Sequence, residues 1–332
     1  MSFLNNLLLA GLNGIYSFVN NYALAIILFT LLIKLVVSPL NLKSRRSTMR
    51  MSSLQPQMRA LQEKYKGDQE KLNQKMQELY RKEGVNPVGG CLPMVVSMFV
   101  LFAMFYALRT FANERLVRMF LTFYHNPEMD PRPLADSFLW IRNFWMPDSP
   151  FATFMPDLKS LQQVDLSIWN RVSQEMAAVG TIPEALGLAD RAAFDAFLKQ
   201  VVTPFLSSEA YAPFIAPAPG LSNLSLFGLI PISIFKEANG FFVLPLVSVA
   251  TQIVMQKLMM NQQAMDPAQA GSQKSLIWVM TFMSLYFCAI YNSAFALYWV
   301  VSNIYAILEQ LYFNYYFKLL DQKSAKAREV GI

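Results

Sequence analysis

Long apolar runs alternate with polar segments along this chain. A helix needs about 20 mostly apolar residues to cross the hydrocarbon core of a bilayer. Five apolar runs therefore predict five membrane-spanning helices. They cover residues 22–42, 89–112, 241–259, 276–291 and 294–317. Residues 1–21 place apolar side chains at helical spacing without a basic leading segment, which predicts an amphipathic helix at the membrane surface and not a signal peptide.

The polar segments between these runs have two different characters. Residues 43–84 carry apolar side chains at steps of three and four on both sides of Gly67, which predicts two amphipathic helices folded into a hairpin. Residues 113–240 contain many prolines and short apolar pieces, which predicts a folded insertion outside the membrane. We expect residues 260–275 to form a loop and residues 318–332 to form a short basic tail.

The composition supports an all-α integral membrane protein. Hydrophobic residues make up 54% of the chain and charged residues only 15%, against about 25% charged in soluble domains. Cys91 and Cys288 both lie in apolar surroundings without a pairing pattern, and His125 is the only histidine. The sequence thus predicts no disulfide, no metal site and no cofactor.

The charge distribution predicts the orientation in the membrane. Residues 43–83 contain eleven Lys/Arg and five Asp/Glu, a net charge of +6, whereas residues 113–240 have a net charge of −4. Lys and Arg accumulate in the short segments on the cytoplasmic side. We therefore expect the hairpin, the loop at 260–275 and the carboxyl terminus in the cytoplasm, with the amino terminus and the insertion outside.

One cation lies inside the first predicted span. Lys34 is flanked by Thr30 and Ser38 at a spacing of four, so the three side chains share one helix face. An ionisable residue in a membrane helix costs at least about 2.5 kcal/mol on insertion scales, which favours a functional role in a hydrated or protein-lined space. The alternative is that Lys34 extends its ammonium group to the cytoplasmic interface.

Several motifs resemble those of YidC-type membrane protein insertases, the YidC/Oxa/Alb family. The sequence GVNPVGGCLP at 84–93 is similar to the family's entry into its second core span. Further similarities are LQP at 54–56, MTFM at 280–283 and LYWVVSN at 297–303. The chain resembles the five-span, Gram-positive-like form, with an unusually long extracytoplasmic insertion. It departs from the family pattern at 97–99 and at 292–294.

The resemblance implies an insertase of the bacterial plasma membrane, with five core helices around a hydrated groove. Its implied partners are nascent membrane proteins, the ribosome and membrane lipids, with the Sec translocon as a further candidate. It implies no enzyme activity and no cofactor, and we expect the protein to work as a monomer.

The resemblance also assigns residues to the groove. Lys34 occupies the position of the family's groove cation, which is generally Arg, and Thr30, Tyr298 and Trp299 match further groove positions. Polar residues in the other spans are additional candidates, although their side chains equally suit helix–helix hydrogen bonds. These candidates are Ser38, Ser97, Gln252 and Ser302.

The basic hairpin is a candidate site for capturing the nascent chain or docking the ribosome. Met51 and Met58 offer adaptable apolar contacts, and Arg59 and Lys64 offer positive charge. The alternative is a solvated helix pair that only follows the cytoplasmic charge preference.

A small-solute or ion transporter or channel is the competing function. Transporters are expected to show internal repeats and paired charges at mid-membrane. The chain shows no repeat, and we expect Lys34 to lack a buried acidic partner, since Glu309 lies late in the fifth span, near the cytoplasmic interface. An intramembrane protease is disfavoured because the spans carry no histidine and no paired aspartates.

Overall fold

Helices dominate the fold, because an apolar run in a membrane must satisfy its backbone hydrogen bonds within itself. The computed structural model describes residues 2–84, 92–222, 224–226, 230–260 and 267–329. Residues 85–91 of the GVNPVGGCLP motif and residues 261–266 of the expected loop at 260–275 lie outside the described residues. The expectation of a loop is wrong for residues 267–275, which are helical.

The amino-terminal part consists of five helices. They are α1 (Ser2–Val19), α2 (Tyr22–Ser53), α3 (Gln55–Lys64), α4 (Gln69–Lys82) and α5 (Leu92–His125). Two of them are longer than the apolar runs suggested, since α2 continues eleven residues beyond Leu42 and α5 continues to His125. The first arm of the basic hairpin therefore consists of two helical pieces, which are the end of α2 and the whole of α3.

The insertion contains five short helices and one strand pair. The helices are α6 (Leu158–Gln162), α7 (Leu166–Ala178), α8 (Arg191–Phe197), α9 (Thr203–Leu206) and α10 (Ala212–Ile215). A π-helical turn, Leu198–Val202, joins α8 to α9. The strands β1 (Leu224–Leu226) and β2 (Ile230–Ile232) pair antiparallel. The predicted all-α class is confirmed, with this small hairpin as a local exception.

Three further helices complete the chain, α11 (Val243–Met260), α12 (Pro267–Ile290) and α13 (Ser293–Glu329). By length and composition, three described helical segments could cross a membrane, at Tyr22–Met51, Val96–His125 and Ser293–Leu320. Val243–Met259 and Ile277–Ile290 are shorter apolar segments, so their membrane crossing stays a prediction.

The chain divides into two compact units. The insertion unit contains Met1–Ile27, Met104–Ser248 and Ser284–Trp299, and the hairpin unit contains Leu28–Ala103, Val249–Met283 and Val300–Ile332.

The insertion unit has its own hydrophobic core. Trp169 and Val172 of α7 are fully buried, next to Phe120 of α5 and Phe194 of α8. The edge of the Phe120 ring meets Trp169 at a centroid distance of 5.7 Å. The expectation of a folded insertion thus has a physical basis in an aromatic core built on the end of α5.

Buried polar side chains tie the insertion to the start of α11. Both carboxylate oxygens of Asp148 accept backbone N–H groups, from Phe241 at 2.9 Å and from Leu244 at 2.7 Å. These donors are otherwise unpaired at a helix amino terminus, where a negative charge is also favoured by the helix dipole. A Cβ at Gly240 would lie 2.0 Å from the Asp148 carboxylate, so only glycine fits there.

The turn between α12 and α13 is held in a similar way. The Asn292 side-chain oxygen accepts the Phe295 N–H at 2.9 Å and so caps α13. Ser293 donates from both its N–H and its hydroxyl to the Met146 carbonyl, at 3.0 and 2.7 Å. The turn that departs from the family pattern is therefore fixed by a cap and by the insertion.

We predict that Asp148→Ala destabilises the protein by about 1–3 kcal/mol, because two buried N–H groups lose their acceptor. Thermal unfolding of the purified protein in detergent, followed by tryptophan fluorescence, would measure the loss. Asp130→Ala is the matched control, since Asp130 is exposed and pairs only with exposed Arg132. Equal melting temperatures for both variants would contradict the role of the cap.

Candidate functional site

A line of polar side chains runs along α2. Thr30, Lys34 and Ser38 follow each other at steps of four, and Asn41 lies seven residues after Lys34. Seven residues make almost two helical turns, so Asn41 lies on the Lys34 face. Thr30 is fully buried, whereas Lys34 and Ser38 are half-buried. The opposite face carries Val36, which is 75% exposed, as a lipid-facing side chain would be.

A second polar line runs along α13. Ser302, Glu309 and Tyr316 recur at a spacing of seven and therefore share one face of this helix. All three belong to the hairpin unit, as do Lys34 and Asn41.

Two hydrogen bonds join these lines. Asn41 donates from Nδ2 to Glu309 Oε2 at 2.9 Å, and Arg46 donates from Nη2 to the Tyr316 hydroxyl at 3.3 Å. Residue numbers increase along both helices from one contact to the next, so α2 and α13 run parallel here. Lys34 lies seven residues before Asn41, and Ser302 lies seven residues before Glu309. Lys34 and Ser302 therefore lie at the same level along the two parallel helices.

Glu309 is held by Asn41 on the face of α2 that carries Lys34, two helical turns after the lysine. The expectation that Lys34 lacks a buried acidic partner stays a prediction, because no direct ion pair joins the two side chains among the described residues. Glu309 is half-buried, and its Oε1 atom is fully buried without a hydrogen-bond partner among the described residues. The attraction between the two side chains thus acts through space.

Ser302 provides a second polar atom that is available for binding. Its hydroxyl oxygen is buried and has no partner within the described part of the chain. Buried polar atoms of a native protein normally have partners in the protein or in ordered water. Ser302 Oγ and Glu309 Oε1 therefore mark positions on α13 where water or a polar guest can bind.

Other polar contacts extend from α13 to its neighbours. Asn303 donates to the Thr251 hydroxyl of α11 at 3.2 Å, and Thr281 of α12 donates to Gln256 of α11 at 3.3 Å. Such hydrogen bonds between helices satisfy polar groups that lipid cannot satisfy. The first bond fixes α11 next to the part of α13 that carries Ser302, and the second joins α12 to α11.

The structure places the remaining predicted groove residues in different environments. Gln252 of α11 is buried and Ser97 of α5 is exposed, both in the hairpin unit. Tyr298 and Trp299 belong to the insertion unit, where Tyr298 is buried and the Trp299 ring packs at a tilt against Phe295, with centroids 5.7 Å apart. Their assignment to one groove stays a prediction.

The basic hairpin keeps an open surface. Arg59 and Lys64 of α3 are exposed, and no residue of α3 or α4 is buried among those described. Met51 lies near the end of α2, and Met58 contacts the Tyr80 hydroxyl of α4 through its sulfur at 4.0 Å. Partial burial raises the pKa of Tyr80, which therefore stays neutral at physiological pH.

Sequence reasoning missed Asn41 and the role of Glu309. The signal was the spacing of seven, from Lys34 to Asn41 and from Ser302 to Glu309, which extends each polar face by almost two helical turns. The pairing of the two lines depends on residues 268 positions apart and required the structure.

Comparisons with known proteins agree with the sequence motifs. Residues 14–182 and 194–322 match the family described as "60Kd inner membrane protein".

Curated relatives carry the name "Membrane protein insertase YidC". The protein of Pelodictyon phaeoclathratiforme is 43% identical over 134 residues, which are 40% of this chain and 20% of the relative. The protein of Chlorobaculum parvum is 41% identical over 147 residues, or 44% and 22% of the two chains. The protein of Chlorobaculum tepidum is 41% identical over 149 residues, or 45% and 22%. This chain thus aligns with only about a fifth of the length of these relatives.

We predict that water reaches the Lys34 face of α2 but not the opposite face. In a background with both native cysteines replaced by alanine, Ser38→Cys in membrane vesicles should react with a charged maleimide at least about tenfold faster than Val36→Cys, because thiolates form only where water is present. Equal rates at the two positions would contradict a hydrated polar line.

Proposed function

Because this chain belongs to the family of the 60Kd inner membrane protein, we propose that it inserts nascent membrane proteins into the bilayer of the bacterial inner membrane. The names of the curated relatives support this activity. The observation that carries the proposal is the cationic polar line on α2, which faces unpartnered polar atoms on α13 within the hairpin unit.

In this proposal Lys34 attracts acidic residues in the amino-terminal tail or a short loop of the substrate. Water along the polar line lowers the cost of a charge there, while the surrounding protein and lipid keep the effective dielectric constant below that of bulk water and strengthen the attraction. The substrate's polar segment is thereby drawn part-way across the membrane. Ser302 and Ser38 offer hydroxyl groups for its backbone.

The driving force comes from the substrate itself. Each apolar helix that leaves water gains about 25 cal/mol per Å² of buried apolar surface. The protein then needs no chemical energy and no covalent step, because it only lowers the barrier for the polar segment.

The basic hairpin would receive the nascent chain in the cytoplasm. Its exposed cations suit ribosomal RNA and anionic lipid headgroups, and its methionines suit apolar segments of varied shape. We propose the Sec translocon as a further partner. We also propose that the protein works as a monomer.

The parallel course of α2 and α13 supports the proposed topology. Two helices that cross a membrane in the same direction are separated by an odd number of other crossings. With α5, α11 and α12 as those crossings, the amino terminus lies outside and the carboxyl terminus in the cytoplasm.

Transport of an ion or small solute is the second candidate, and the observation that favours it is that Asn41 holds the Glu309 carboxylate on the face of α2 that carries Lys34. Paired charges within membrane helices often mark ion pathways. Ion flux through liposomes that contain the purified protein, without insertion of any substrate, would select this function.

We predict that Lys34→Ala lowers the insertion of an acidic-tailed substrate about tenfold, as expected for the loss of one charge-assisted contact. Lys34→Arg should retain most of the activity, because the charge is kept. Proteoliposomes with purified protein and protease protection of the inserted substrate provide the measurement. Lys43→Ala removes the same charge from an exposed position of α2 and should have little effect. Unchanged insertion by the Lys34→Ala protein would refute the proposed mechanism.

We further predict that replacing residues 55–82 by a flexible Gly/Ser linker weakens binding of ribosome–nascent chain complexes by at least about fivefold, with the remaining binding less dependent on salt. Co-sedimentation with proteoliposomes at two salt concentrations measures both effects. Binding that keeps its full strength and salt dependence would exclude the hairpin as the docking site.

A further inference from the structure

We propose that Glu309 is an internal competitor of the substrate, whose carboxylate shields Lys34 and sets how acidic a substrate tail must be to bind there. This inference rests on the proposed insertase function and adds a determinant of substrate selection. It concerns the residues of the polar lines on α2 and α13 in the hairpin unit.

The contacts of Glu309 fit this role. Asn41 holds Oε2 at 2.9 Å, which fixes the carboxylate next to the cationic face of α2. Oε1 is buried and has no hydrogen-bond partner among the described residues, so only one of the two oxygens is used to hold the side chain.

The sequence offers Lys34 no other acidic residue on these two segments. Residues 22–42 contain no Asp or Glu, and residues 293–320 contain Glu309 alone. The neighbouring cations Arg45 and Arg46 lie one turn or more beyond Asn41, and Arg46 is bonded to Tyr316. Glu309 is therefore the residue whose charge a substrate carboxylate would replace.

The competition has a direct consequence for specificity. A substrate carboxylate must replace Glu309 as the negative charge that interacts with Lys34. A tail with a single acidic residue therefore binds weakly, and a tail with several acidic residues binds well. A tail without acidic residues does not use Lys34. The discrimination should consequently be greatest for tails with one acidic residue.

The experiment measures insertion in proteoliposomes for one substrate whose tail carries no, one or three aspartates. Glu309→Gln keeps an oxygen that accepts from Asn41 and removes the charge. We expect the single-aspartate tail to insert about fivefold more efficiently with this variant, and the other two tails to change by less than about twofold. Glu184→Gln is the matched control, because it removes the same charge from an exposed position of the insertion unit.

Two further variants keep the result interpretable if Glu309→Gln folds poorly. Glu309→Asp withdraws the carboxylate from Lys34 and should give a smaller gain in the same direction. In a Lys34→Ala background, Glu309→Gln should give no gain, because the attraction being shielded is gone. Melting temperatures in detergent identify a folding defect independently.

The failure of this inference differs from the failure of the insertase proposal. If Lys34→Ala lowers insertion of the three-aspartate tail while Glu309→Gln and Glu309→Asp insert every tail as the unmodified protein does, the competitor role is overturned and the insertase proposal stands. A loss of insertion in Glu309→Gln for the single-aspartate tail would also overturn it. If Lys34→Ala has no effect on any tail, the insertase mechanism itself fails.

Discussion

The free-energy cost of a charge within a membrane helix is the constraint on which this structure depends. Lys34 is the one Lys, Arg, Asp or Glu in the first predicted span, and lipid offers no compensation for the charge of its ammonium group. The protein compensates it with a polar line on its own helix and with the Glu309 carboxylate, which Asn41 holds on the same face of α2. A direct, fully buried ion pair would leave no charge for a partner to use, whereas Lys34 is only half-buried and forms no direct ion pair among the described residues.

The insertion unit is stabilised in the way of a soluble domain, by a hydrophobic core and by buried hydrogen bonds. Its aromatic core around Trp169 gives residues 113–240 a stable fold, and its buried Asp148 determines where α11 begins. The contacts of Met146 with Ser293 do the same for the turn before α13. Both helices continue from this unit into the hairpin unit, where they carry Gln252, Ser302 and Glu309. The insertion thus anchors the first turns of the helices that supply polar groups to the candidate site.

Sequence patterns predicted the helical class, the family and the cationic face of α2, because apolar length and the steps of three and four are local properties of the chain. They did not predict that α2 continues to Ser53 or that α5 continues to His125, since helix ends depend on caps and packing that composition does not encode. They also did not identify the contact between Asn41 and Glu309. Pairs such as Asn41–Glu309 are a property of helix packing, and one sequence without its fold does not contain that register.

The distance along the chain between these partners has a consequence for assembly. Lys34 enters the membrane with the first predicted span, whereas Glu309 arrives with the last, 275 residues later in the sequence. Until α13 is synthesised, the Lys34 charge has water as its only compensation within these two segments, so the unfinished protein exposes its cation fully. Addition of α13 supplies the carboxylate and the Ser302 hydroxyl together, because they share one helix face. The selective form of the site therefore exists only once the first and the last predicted span lie side by side.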